Sequence, residues 1–392
     1  MTSREIARLL IVHALGIASR GWGVRPRLIG AERILVIRPD HLGDVVLATA
    51  VLRALRRSHP GADIAALVGP WSATVLQTNT DVDRVLTFPF PWFDRRPVPS
   101  PVERYLIAIR LASRLRAFSF DRAIILRPDH WWGGLVIRMA GIPHRTGYAG
   151  TLLSPLLTHP IPRQTSEHAV ISGLRLIDPS RGPGPAFQPS LPLTRLQPNS
   201  ADLITADSLL ASVFERWPNR LAIIHPGASV APKRWPAERW AIIADRLSQS
   251  GWSVAAAAGP GEGSIADEIA NRTMKPIANL REILSVGVMA ALFSRADIAL
   301  GMDSAPMHFA TAVGTPTIRL FGPGDECLFG PWGDPRTHRV VRAPATTPDD
   351  AWFGQGGAIH PTIDAIDAER VWRTFNDILP HLDVGRASRA AP

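Results

Sequence analysis

Short apolar runs alternate along this chain with longer stretches whose apolar residues recur at helical spacing, and this alternation dictates the fold class. Residues 34–38 form such a run, and 44–57 carry the helical pattern after it. Further strands are expected at 63–68, 82–88 and 123–127, separated by stretches long enough for helices. A second series has strands at 221–225, 252–258, 297–302 and 317–321, with helices at 237–250, 265–272 and 305–313. Strands that alternate with helices build parallel sheets, so the expectation is an α/β protein with two Rossmann-like domains facing a central cleft.

Between the two series, 178–199 is crowded with proline and glycine and reads as a linker. The expected organisation is a helical extension at 1–30, one Rossmann-like domain at 31–177, the linker, a second at 200–345, and a loop, helix and tail at 346–392. An amphipathic helix is expected at 367–379, capped by Asp367.

Residues 1–30 place Arg4 and Arg8 before an apolar run at 9–18, which is shorter than the roughly 20 residues that span a bilayer. They read as a basic amphipathic helix. It either packs on the domain, the favoured reading, or touches an anionic membrane surface.

At 392 residues, each domain has length enough to bury a core of its own. The single cysteine, Cys327, excludes an internal disulfide and a cysteine-based zinc cluster. The net charge of +9 favours an anionic partner, and almost all of the basic residues are arginine, Lys233 and Lys275 being the two lysines. Without a basic run interleaved with aromatics, nucleic acid is not expected as that partner.

Three loops at expected strand ends carry chemistry. The first is Arg38-Pro-Asp-His-Leu-Gly43-Asp44, where Gly43 permits a tight turn and Asp44 stands at a helix start. There Asp44 is either a cap or a base for an acceptor hydroxyl. The tetrad Arg38-Pro-Asp-His41 is echoed by Arg127-Pro-Asp-His130 after the 123–127 strand, and Arg38, His41 and Arg127 are candidate acceptor-side residues. The second loop runs from His225-Pro-Gly-Ala-Ser229 to Lys233-Arg-Trp-Pro236 and offers small residues, a hydroxyl and two cations to a phosphate. The third, Gly301-Met-Asp303-Ser304-Ala-Pro-Met-His308, opens a helix whose free amides suit a pyrophosphate. Gly314-Thr-Pro316 and Phe321-Gly-Pro-Gly-Asp325 follow it.

Together, over 34–341, these segments resemble the glycosyltransferase family 9 proteins, the ADP-heptose:lipopolysaccharide heptosyltransferases and their relatives. The resemblance implies a GT-B fold and an inverting, metal-independent transfer from a nucleotide-diphosphate sugar, with no separate cofactor, to a glycan or lipid-linked acceptor. It also implies a cytoplasmic enzyme, peripheral at the inner face of the membrane where the acceptor is lipid-linked. Asp44 would be the general base, and Lys233, Ser229, Asp303, Ser304 and His308 would hold the donor phosphates, with Glu262 at the donor ribose. The family often has two serines before Leu-Gly-Asp, where this chain has Asp40 and His41.

Two other functions compete. Gly261-x-Gly263-x-x-Ala266 spells a dinucleotide fingerprint and suggests an NAD(P)-dependent oxidoreductase, but no acidic partner ends the next strand. A catalytically silent nucleotide-binding module would keep the Lys233 and His308 loops and dispense with Asp44. Asp81-Val-Asp83 spells the motif of a metal-dependent transferase, at the start of a strand in the wrong half.

Overall fold

The computed structural model describes residues 14, 30–94, 100–164, 167–181, 188, 191, 193–228, 230, 233–259, 261–280, 284–322, 324–342 and 361–389. The expected helix at 1–30 falls almost wholly outside them, as does Ser229. The chain divides into two compact units, Met1–Gly184 and Pro185–Pro392, and the division falls inside the segment read as a linker. Part of that segment already belongs to the second unit, since Leu191 and Leu196 are buried and the Leu196 N–H donates to the Ala312 carbonyl at 3.3 Å.

The first unit contains strands β1 (Arg33–Arg38), β2 (Asp63–Val68), β3 (Arg84–Thr87), β4 (Arg122–Ile125), β5 (His144–Tyr148) and β6 (His159–Ile161). Its helices are α1 (Leu42–Ser58), α2 (Pro101–Phe118), α3 (Trp131–Met139) and α4 (Ala169–Ile177). The sheet order is β3-β2-β1-β4-β5-β6, and every pairing is parallel. Leu35, Val36 and Ile37 are buried whichever face they point to, because helices cover both sides of such a sheet. Helices α1 and α4 approach closely at Gly173, where a Cβ would meet the Val51 side chain at 2.5 Å.

The second unit repeats the plan. It runs α5 (Ser200–Val213), β7 (Leu221–His225), α6 (Ala237–Gln249), β8 (Ser253–Ala257), α7 (Gly263–Arg272), β9 (Ala278–Leu280) and α8 (Val286–Arg295). After these come β10 (Ile298–Met302), α9 (Ala305–Ala312), β11 (Thr317–Phe321), α10 (Glu326–Phe329), β12 (His338–Arg342), α11 (Pro361–Asp364) and α12 (Ala368–Arg389). The sheet order is β12-β11-β10-β7-β8-β9, again parallel throughout. In both units the first strand lies in the middle and the chain winds outward in both directions. Each unit therefore has one topological switch point, between β1 and β4 in the first and between β7 and β10 in the second. Open α/β sheets bind ligands at the carboxyl ends of the strands at such a point.

The expected split between a domain ending at 345 and an appended tail needs correction. Val371, Phe375 and Ile378 of α12 lie in the same apolar core as Trp240, Leu247 and Trp252, so this helix is an integral layer of the second unit. Asp367 caps it by accepting the Arg370 N–H at 2.7 Å, and the helix continues past the expected end at 379, through Pro380, to Arg389.

Candidate active site at two switch points

At the switch point of the first unit, Arg38 ends β1 and reaches three acceptors. Its Nη2 donates to Asp44 Oδ1 at 2.7 Å, its Nε lies 2.9 Å from Asp40 Oδ2, and its Nη1 donates to the Leu126 carbonyl at 3.2 Å. Asp40, 3% exposed, also receives Arg127 from the end of the neighbouring β4, and Arg127 Nε in turn donates to Asp129 at 2.7 Å. The two echoed tetrads thus lie side by side as one row of alternating charge: Asp44, Arg38, Asp40, Arg127, Asp129.

Burial is the largest single influence and works against the charge on Arg127 and Asp129, but Asp129 and Asp40 together outweigh it and raise the Arg127 pKa. The bond and charge of Arg127, with a backbone hydrogen bond, hold the Asp129 carboxyl below the usual range. Arg38 and Arg127, expected to face an acceptor, are thereby committed to carboxylates of their own unit. His41 is the exposed N-cap of α1, with its ring 6.1 Å from that of Trp71. Asp44 is not the cap; it occupies the third position of the helix, where the amide dipoles favour a carboxylate. Its Oδ2 has no hydrogen bond among the described residues.

His130 lies beneath this row, 4% exposed, with its ring edge-to-face against Phe90 and Phe93 at 5.4 and 5.7 Å. Burial pushes its pKa down to about 4, against the pull of Asp40, so the imidazole is neutral at neutral pH.

In the second unit, the loop after β7 is anchored by Trp235. Its indole is fully buried, meets Trp240 edge-on at 4.8 Å and donates to the Ile366 carbonyl at 2.7 Å. This anchor sets the backbone of the neighbouring Lys233, whose Nζ ends 3.2 Å from Asp303 Oδ2, at the point where β10 hands over to α9. Ser304 caps α9 with extended backbone, and its hydroxyl is buried with no hydrogen-bond partner. Two loops seventy residues apart in sequence therefore meet at the amino end of one helix, with a buried hydroxyl left unmatched there.

His308, one turn into α9, is buried, and its Nδ1 lies 3.3 Å from Nη1 of Arg319. Arginine can only donate, so Nδ1 accepts and the ring proton sits on Nε2. Arg319 is wholly enclosed in β11; its Nη2 also donates to the Met307 carbonyl at 2.7 Å and bonds the Thr311 hydroxyl. Burial pushes the Arg319 pKa down to about 9, and the Asp303 charge opposes that shift.

Glu262 lies just past the end of β8 and turns its carboxylate back to accept the Gly259 N–H at 3.1 Å, 3.8 Å from His225 Nε2. A side chain at Gly227 would overlap this carboxylate, so the glycine of the His-Pro-Gly motif makes room for Glu262. His225 is buried and donates from Nδ1 to the Ala257 carbonyl at 2.8 Å, and burial lowers its pKa despite the Glu262 charge.

The reading from sequence missed Arg319, the pairing role of Asp40, and the anchoring by Trp235. One signal was available: a lone arginine centred in an apolar strand. The glycine fingerprint at Gly261 follows the second strand of its unit, whereas dinucleotide folds carry it after the first. Asp83 of the Asp-x-Asp spelling is held by Arg56 and by the Ile64 N–H.

A family model described as glycosyltransferase family 9 (heptosyltransferase) matches residues 108–349, more than half of the chain and carboxy-terminal to Asp44. Lipopolysaccharide heptosyltransferase 3 of Escherichia coli K12 is 26% identical over 306 residues, covering 74% of this chain and 82% of that protein. Lipopolysaccharide heptosyltransferase 2 of Salmonella typhimurium is 26% identical over 321 residues, covering 79% and 88%. The solved structure of E. coli ADP-heptose LPS heptosyltransferase II superposes with a TM-score of 0.70 over 90% of this chain and 99% of that one, at 22% identity. The fold is GT-B. By the match over more than half of its length and the curated relatives, the chain belongs to glycosyltransferase family 9 and is a sugar-transferring enzyme.

Proposed function

We propose that this enzyme transfers heptose from ADP-heptose, with inversion and without a metal ion, to a hydroxyl of a glycan or lipid-linked acceptor. The observation that carries the reading is the meeting of Lys233, Asp303 and the unmatched Ser304 hydroxyl at the amino end of α9. A cation, a buried hydroxyl and a helix amino terminus together complement a diphosphate, and curated relatives and solved neighbours carry ADP-heptose or heptosyltransferase in their names. Asp303 steadies the ammonium between turnovers, and the Nε2–H tautomer set by Arg319 makes His308 a donor to phosphate oxygen. Ser229, in the same loop as Lys233, belongs to this group by sequence. Glu262, just past the second strand of its unit, would take the donor ribose, since folds of this kind bind ribose hydroxyls through an acidic residue near a strand end.

In the reaction the acceptor oxygen forms its bond to the anomeric carbon from the face opposite the diphosphate. The bond from that carbon to the phosphate oxygen breaks, ADP leaves with the electron pair, and the acceptor proton passes to Asp44. Arg38 fixes Asp44 through Oδ1 and leaves Oδ2 for the hydroxyl, an orientation that general-base catalysis requires. Charge that grows on the departing phosphate meets Lys233 and the α9 amides, the work a magnesium ion does in other transferases. A nucleotide-sugar donor puts the reaction on the cytoplasmic side, at the inner face of the membrane when the acceptor is lipid-linked.

The test is product analysis by NMR with ADP-heptose, in the presence of EDTA. Inverted anomeric configuration at an undiminished rate is expected. Retention of configuration, or loss of transfer on chelation, would overturn the mechanism.

A further inference from the structure

Helix α2 is apolar on two sides. Ala108, Leu111, Ala112 and Leu115 are buried against the first unit. On the opposite side Val102, Leu106 and Ile109, at positions i, i+4 and i+7, stand 70%, 49% and 37% exposed. Ser113 and Ala117 continue the same line and are exposed as well. A surface helix ordinarily carries polar residues there, and a continuous exposed apolar stripe marks an interaction surface.

The charges beside the stripe select the partner. Arg110 and Arg114 are exposed at its margin, and neither forms an ion pair among the described residues. Elsewhere Arg84, Arg272, Arg295 and Arg336 each face a carboxylate. The helix carries four arginines, Arg104, Arg110, Arg114 and Arg116, against the single acid Glu103. Just ahead of it Trp92, 41% exposed and in left-handed backbone (φ 72), is held against the guanidinium of Arg104 at 5.1 Å. Aliphatic side chains in a line, unpaired arginines at the margin and a half-exposed indole form the pattern of a helix lying in a lipid headgroup layer.

We propose that α2 docks this protein on an anionic phospholipid bilayer. Val102, Leu106 and Ile109 enter the boundary between headgroups and acyl chains, and Arg110 and Arg114 meet lipid phosphates. A second copy is the poorer occupant, because pairing stripe to stripe would set unpaired arginines against arginines. The proposal names the surface behind the lipid-linked acceptor of the reading above, but vesicle binding is measured without transfer, so the two readings fail separately.

The experiment is co-sedimentation of the full chain with phosphatidylcholine vesicles, with and without phosphatidylglycerol. Binding to the anionic vesicles that weakens with salt is expected. Leu106→Asp with Ile109→Asp should weaken it about tenfold. Arg110→Glu with Arg114→Glu should weaken it by roughly fivefold or more per arginine. These positions are exposed, so Tm should not move; if the aspartate pair melts early, the arginine pair decides. Unchanged binding in the variants would overturn the proposal by placing the contact elsewhere on the chain. An absence of vesicle binding with self-association that the aspartate pair abolishes would also overturn it, in favour of a second copy on the stripe.

Discussion

The two switch points share one topology and differ in charge. Between β1 and β4, three carboxylates and two arginines alternate in a row, so the first unit neutralises its own cations and leaves a carboxylate, Asp44, at the end. Between β7 and β10, Lys233 pairs with Asp303, and Arg319, buried in the neighbouring β11, feels the charge of the same carboxylate without an ion pair to it among the described residues. A row that ends in a carboxylate suits a proton acceptor, and a cluster with surplus positive charge suits an anion. The same βα framework thus acquires opposite chemistry through a handful of side chains in its loops.

The sharpest way to break this contrast is Asp44→Asn. It should lower kcat by about 10²- to 10⁴-fold and leave ADP affinity untouched, as read by steady-state kinetics and calorimetry. Near-normal transfer would return Asp44 to a structural role in the first turn of its helix. In the other unit, Lys233→Ala should weaken ADP by roughly 10- to 100-fold while adenosine binding hardly changes, since a charge-assisted contact is worth about 1.5–3 kcal/mol. An equal loss for both ligands would mean that Lys233 supports the loop and does not touch phosphate. Arg38→Lys keeps the charge but loses the fork that reaches Asp40 and Asp44 together, so kcat should fall by about tenfold with KM for the donor unchanged.

His130 tests the first unit in isolation through pH. Its folded pKa of about 4 lies below the ordinary 6.5, so between these values the unfolded chain binds the proton and the folded one does not. Stability from this residue is therefore full above pH 6.5 and is lost as pH falls towards 4, at up to about 1.4 kcal/mol per pH unit. His130→Phe should flatten the fall of Tm across that window, and parallel curves for the two proteins would remove His130 from the acid response. The smallest effect is expected from deleting residues 1–30: donor binding should not move, and any loss of vesicle binding would measure what that segment adds to α2.

Much of this arrangement was legible in sequence. β7 and β11 run over the expected residues, and the loops that follow β1, β7 and β10 lie at the two switch points, because buried parallel strands are apolar throughout and their loops are not. The strands β5, β6 and β12 went unread. Their residues, His144-Arg-Thr-Gly-Tyr148, His159-Pro-Ile161 and His338-Arg-Val-Val-Arg342, carry charge and ring nitrogens that lower local strand preference, and tertiary pairing overrides it. In the site, residue types announced Asp44, Lys233 and Ser304, but who pairs with whom did not follow. Arg38 to Asp44 spans six positions, whereas Arg127 to Asp40 crosses 87 positions and depends on β1 and β4 being neighbours. Arg319 stayed hidden because only the folded unit shows that nothing of it is exposed.

The bond from Trp235 to the Ile366 carbonyl has a consequence for biosynthesis. The first unit has its last strand by residue 161 and the helix α4 by 177, so all its described elements leave the ribosome while the rest is still being made. The loop after β7 has no such independence. Its indole anchor waits for a carbonyl 131 positions later, and the core around it waits for Val371, Phe375 and Ile378. Lys233 is therefore set in place only after residue 378 has been made, and a transcript cut short before Ile366 would leave the loop of Lys233 without its anchor.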